Sequence, residues 1–219
     1  MVGSQEGFFA AGCKATAKSL ITLAGLCVAG TGQAQHSEHA QHMDHADHAQ
    51  HAQVAQATAF KQITADYAIP DIQLVRQDGK TVALRDELAG PGPVYVNFIY
   101  TTCTTVCPVM SAIFANLQSK LTPQDGNVRM LSISIDPLED TPTRLAAYAR
   151  QHKAGAQWKF YTGSVDASVA AQKAFDVYRG DKMNHAVTSF LRRAPGERWV
   201  RTEGFAPAAT LLQPLRDRG

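Results

Sequence analysis

The sequence predicts an α/β domain, a mixed central sheet covered by helices on both faces, with a β-hairpin inserted near its N-terminal end. Three observations predict it. Apolar runs of strand type recur at 93–100 (PVYVNFIY) and 128–135 (VRMLSISI); they are too continuous for a strand with one wet face and suit a buried sheet interior. They alternate with segments of helical periodicity, and the alternation closes on a hairpin, VTSFLRR and ERWVRTE around Pro195-Gly196.

Each element follows in order. IQLVRQDGKTVAL (72–84) places two β-type segments around Asp78-Gly79, a turn signal. After the buried strand at 93–100 and Pro108, VMSAIFANLQSKL puts Val109, Ile113, Leu117 and Leu121 at helical spacing. Asp136-Pro137 ends the second strand. Thr141-Pro142 opens a helix running to about His152, with Thr as N-cap and Pro at the first helical position. WKFYTG is a third strand, SVDASVAAQKAFDVY a third helix, and a short last helix carries Pro214.

A chain of 219 residues with 45% hydrophobic and 18% charged residues has the composition of an ordinary globular protein. Its formal net charge of +2 comes without a basic run, so nucleic acid is not an expected partner. Residues 1–34 read as an export signal: Lys14 and Lys18 precede an apolar run at 20–30, and Gly32-Gln33-Ala34 offers a small-residue cleavage site. That run is well short of the ~20 residues that span a bilayer, which favours a cleaved signal over an uncleaved membrane tether. The first arginine is Arg76, unlike an Arg-rich mitochondrial presequence, so the expected address is a bacterial periplasm. Neither Cys13 nor Cys27 reads as a lipidation site. Residues 35–62 read as a disordered His-rich tail and 63–219 as one folded domain of about 155 residues.

With the signal removed, the cysteines are Cys103 and Cys107, in TTCTTVCPVM. They lie between the buried strand and the helix near Pro108. A helix N-terminus favours thiolate, the form that attacks disulfides and ligates metal. Three intervening residues, against the two of C-x-x-C oxidoreductases, leave the sulfurs able to converge on each other or on one ion. A purely bracing disulfide is the plainer alternative, but so small a ring constrains little chain entropy.

The predicted domain holds two histidines, His152 and His185. His152 fits a helix C-terminus. His185, in the polar connection GDKMNH before a strand, is the preferred third donor, although on residue type alone a solvent-exposed loop position fits it somewhat better. Met183 is a weaker candidate. Two Cys and one His suit Cu(I), or Cu(II) with an added weak ligand; zinc competes, but its structural sites are closed by four ligands and no fourth is evident.

Taken together, VNFIYTTC, C-x-x-x-C-P, SIDPLEDTP at 134–142 and the late His of NHAVTSFL resemble the Sco/SenC family over residues 65–219. The resemblance implies a thioredoxin-like fold, Cys103, Cys107 and His185 as copper ligands, and Asp136 near the site, where it reads equally as a turn residue. It also implies delivery of copper, or of reducing equivalents, to the binuclear copper site of cytochrome c oxidase. The expected partners are that enzyme's copper-accepting subunit, or a similar cuproprotein, and a thiol-disulfide donor protein, with membrane contact only through the client or an uncleaved signal. A copper chaperone and a thiol-disulfide reductase, in which Cys103 and Cys107 form a redox-active disulfide, are both open; nothing singles out a peroxide site.

His36, His39, His42, His45, His48 and His51 recur every third residue, with Met43, Asp44 and Asp47 interleaved. Imidazole with carboxylate suits Cu(II), Ni(II) or Zn(II), so the tract reads as a secondary metal site, against the alternative of a solvated spacer.

Overall fold

The structure is a computed structural model and describes residues 60–217; the expected signal at 1–34 and the histidine tract lie outside the described residues. Eight strands form one sheet in the order β1-β8-β7-β4-β5-β6-β2-β3. They are β1 (Lys61–Ala65), β2 (Gln73–Arg76), β3 (Thr81–Ala83), β4 (Val94–Ile99), β5 (Arg129–Ser134), β6 (Trp158–Gly163), β7 (Thr188–Arg192) and β8 (Trp199–Glu203). β4, β5 and β6 run parallel, and every other neighbouring pair is antiparallel. The helices are α1 (Leu84–Ala89), α2 (Val106–Lys120), α3 (Pro142–Gln151), α4 (Val165–Ala174) and α5 (Ala208–Arg216).

All six residues of β4 are buried, as a central strand with both faces covered requires. Side-chain alternation divides them: Tyr95 and Ile99 pack with Met110, Phe114, Leu145 and Leu211 beneath α2, α3 and α5, whereas Val94, Val96 and Phe98 pack with Leu84, Leu88, Ala167 and Ala171 of α1 and α4. Each large apolar side chain so enclosed stabilises the fold by about 1.5–3 kcal/mol. One polar chain crosses this core: Trp158 Nε1 donates to Ser132 Oγ at 2.9 Å, and Ser132 donates to Asn97 Oδ1 at 2.6 Å.

The hairpin turns form where the sequence places them, with Gly79 and Gly196 both at φ 83°, a left-handed conformation that glycine adopts without strain. Thr141 caps α3, accepting from the Arg144 N–H at 3.3 Å. Three features differ from expectation. The helix after the first buried strand starts at Val106, so Pro108 is its third residue and still inside the first turn, where a missing N–H costs nothing. Its buried stripe is Cys107, Met110, Phe114 and Leu117, and Val109 is 47% exposed. β1 and α1 form without a pattern that announces them.

Candidate metal and redox site

β4 and β5 end side by side, and the crevice beyond the carboxyl ends of parallel strands is where open α/β sheets place their sites. The loop from β4 carries Cys103, and Cys107 is the second residue of α2. Both thiols are free and buried. Thr105, at the N-cap, gives no side-chain capping bond, its hydroxyl lying 3.7 Å from Cys103 Sγ; Cys103 Sγ serves instead, accepting the Cys107 backbone N–H at 3.3 Å. A sulfur bonded to an orphan N–H of a helix N-terminus is favoured as thiolate.

The two thiols are driven apart in acidity. Burial opposes ionisation of Cys103, but hydrogen bonds from the Cys107 and Thr105 backbones, the Cys107 thiol and the Tyr100 hydroxyl outweigh it and bring Cys103 down to about 7. Burial, reinforced by Cys103 and by the charge of Asp140, pushes Cys107 up to about 12. Near neutral pH Cys103 is in mid-titration, with a substantial thiolate population, while Cys107 stays a thiol.

Asp140, fully buried, holds the cysteine loop in place. Its carboxylate accepts from the Thr101 N–H at 3.1 Å, the Thr101 hydroxyl at 2.5 Å and the Ser134 hydroxyl at 2.6 Å. Asp136 fills both roles the sequence leaves open. Its carbonyl turns the chain, accepting the Asp140 N–H at 2.9 Å, and its carboxylate faces the site, paired with Lys182 Nζ at 2.5 Å. That pair ties the segment before β7 to the end of β5. Met183 makes a second tie, its sulfur 3.8 Å from the Tyr100 hydroxyl, and Lys182 Nζ lies 5.7 Å from the Tyr100 ring centre.

His185 makes the third tie. Its Nε2 lies 2.9 Å from the Phe98 carbonyl, and its Nδ1 is buried without a partner. Burial is the main influence on the ring and lowers its pKa. The imidazole borders a cavity of about 490 Å³ with Asp136, Leu138, Val165, Tyr178 and Lys182. Among the described residues no three metal-donor side chains converge: the structure brings Cys103 and Cys107 together and keeps His185 apart at the Phe98 carbonyl. A soft metal still fits the residues present, since the thiols form a two-sulfur set and the buried, unpartnered Nδ1 leaves the imidazole an unused nitrogen. His152, the other histidine among the described residues, packs 4.4 Å from the Tyr148 ring at the end of α3. Sequence reasoning missed Asp140, Thr101, Tyr100 and Lys182; Asp140 stands in the SIDPLEDTP segment, where a second acid four residues after Asp136 was the available signal.

The SCO1/SenC family model matches residues 60–216. The chain belongs to the SCO1/SenC family. It is 36% identical over 100 residues to the SCO1 protein homolog of Bacillus subtilis, covering 45% of this chain and 50% of that one. This SCO1/SenC chain spans about half the length of the curated relatives it matches. BsSco, described as a member of the Sco family of cytochrome c oxidase assembly proteins with a disulfide switch, superposes with TM-score 0.59 at 26% identity, over 70% of this chain and 94% of that one. Arabidopsis thaliana ScoI, solved with copper bound, superposes with TM-score 0.57 at 22% identity, over 68% and 96%. The fold is thus thioredoxin-like, as expected. No helix among the described residues is long and apolar enough to cross a membrane.

Proposed function

We propose that this SCO1/SenC protein is a periplasmic copper chaperone that carries copper on Cys103, Cys107 and His185 and delivers it during assembly of the binuclear copper site of cytochrome c oxidase. The observation that carries the reading is the paired thiols at the α2 N-terminus, with Cys103 Sγ accepting the Cys107 N–H, a bond that helps bring its pKa down to about 7. Copper bound there supplies the positive charge that favours the second thiolate. His185 joins by giving up the Phe98 carbonyl. The copper-bound relative and the assembly role of BsSco support the cargo and the client. A protein client also suits the apolar side chains around this end of the sheet, Val109, Leu138 and Met183, which are 47%, 80% and 73% exposed.

The split acidity favours a second reading, a thiol-disulfide reductase. The Cys103 thiolate attacks a client disulfide, forming a mixed disulfide and releasing one client thiolate. Cys107 then loses its proton and attacks Cys103 sulfur, closing the Cys103–Cys107 disulfide and releasing the second client thiolate. Two electrons pass to the client, and a thiol donor protein restores the pair. His185 is expendable in that cycle.

Titrating the reduced protein with copper and following thiolate-to-copper charge-transfer absorption separates the two. The chaperone reading predicts saturation at one copper, loss of the band in Cys103→Ser/Cys107→Ser, and weaker binding in His185→Ala. A weak band indifferent to His185 overturns it and leaves the reductase.

A further inference from the structure

The contact that ties Met183 to Tyr100 also brings a soft donor beside the thiols. The Met183 sulfur lies 3.8 Å from the Tyr100 hydroxyl, and the same hydroxyl bonds to Cys103. One oxygen is thus within reach of both sulfurs. It donates a single proton, which a thiolate accepts more strongly than a thioether does. With Cys103 in the form that ligates metal, the lone pairs of Met183 are unused.

The placement of Met183 is fixed from its own segment. The Asp181 carboxylate accepts the Met183 N–H at 2.8 Å and opens a 3-10 turn, Lys182–Asn184. Residues two apart on such a turn do not share a face, and this one sends Met183 towards Tyr100 and His185 to the Phe98 carbonyl. Of the two donors on the segment, the imidazole is engaged elsewhere and the thioether already faces the thiols. Exposure separates them further: Met183 is 73% exposed, whereas Cys103 and Cys107 are 7% and 2% exposed. A copper ion arriving at this rim meets the thioether before it can meet both thiols.

We propose that Met183 is the third ligand of incoming Cu(I), completing a three-sulfur loading site with Cys103 and Cys107 until His185 replaces it. The inference rests on the copper-handling reading. Thiolates and thioethers are donors that select Cu(I), and the Asp136 carboxylate, a hard oxygen already paired with Lys182, does not compete. In loading, the bonds of Cu(I) to its previous ligands break and one Cu–S bond forms to each of Cys103, Cys107 and Met183, the thiol protons passing to water. In the second step the Cu–S bond to Met183 breaks as a Cu–N bond to His185 forms. Copper keeps its oxidation state throughout.

Copper-edge X-ray absorption of the reduced full-length protein with one equivalent of Cu(I) tests the ligand, with His185→Ala holding the site at the first step. That variant should show three sulfur scatterers, and His185→Ala/Met183→Leu only two, since leucine keeps the bulk of methionine and lacks its sulfur. The rate at which Cu(I) leaves bicinchoninate for the protein tests the path. Met183→Leu should slow it about tenfold, the lower end of what lost supporting groups cost a metal site, with the final two-sulfur, one-nitrogen set unchanged. Two sulfurs in His185→Ala, a third sulfur that survives Met183→Leu, or equal transfer rates for wild type and Met183→Leu would each overturn the loading site while the dithiol reading stands. Nitrogen ligands alone in every protein overturn the copper reading and the loading site with it.

Discussion

At the residue scale, chemistry turns on the unequal environments of two like side chains. The Cys103 thiolate population rises through pH 7, so its alkylation by iodoacetamide should show a midpoint near 7, with Cys107 inert across the neutral range. A pH profile with both thiols titrating together near their ordinary value of 9.0 would contradict this. Asp140 acts through position. Asp140→Ala removes the partner of the Thr101 N–H and of two hydroxyls behind the cysteine loop, at about 1–3 kcal/mol for each group left buried and unpaired; denaturant unfolding should show a loss of that order, with a smaller loss in Asp140→Asn. That the two cysteines meet at a helix N-terminus was legible from their spacing. The bond of His185 to the Phe98 carbonyl was not, since it depends on the register of β7 against β4, which no local pattern encodes.

Individual elements show the same division. β4 and β5 announce themselves because burial on both faces demands largely apolar runs. β1 does not: four of its five residues are exposed, and its backbone bonds to β8 hold it. α1 has only six residues and no side-chain cap. In α2 two apolar stripes compete at the same 3.6-residue period, and the fold buries Met110 and Phe114 while leaving Val109 outside. The end of α5 is fastened by Arg216, which meets both oxygens of Asp125 at 2.8 and 2.9 Å. The Arg216 guanidinium, with bonds from Thr122, holds the Asp125 carboxyl well below the usual carboxylate range. A depressed folded-state pKa contributes stability above the ordinary 3.8 and loses it as pH falls below that value. Wild-type thermal stability should therefore drop between pH 5 and pH 3 by more than that of Asp125→Asn; equal drops would remove Asp125 from the account.

Over the whole molecule, topology collects at one rim what the sequence scatters. The end of β4, the end of β5 and the start of β7 share it, and with them come the dithiol, Asp136, Met183 and His185. The alternation of elements foretold the sheet and its covering helices, but the strand order that sets β4 between β5 and β7 is a product of long-range pairing. The central claim is that His185 leaves the Phe98 carbonyl to complete a two-sulfur, one-nitrogen copper site. X-ray absorption at the copper edge of the reduced protein loaded with one equivalent of Cu(I) tests it most directly. The account predicts two sulfur scatterers and one nitrogen, the nitrogen being lost in His185→Ala. A spectrum of nitrogen ligands alone, or one unchanged by His185→Ala, would contradict it.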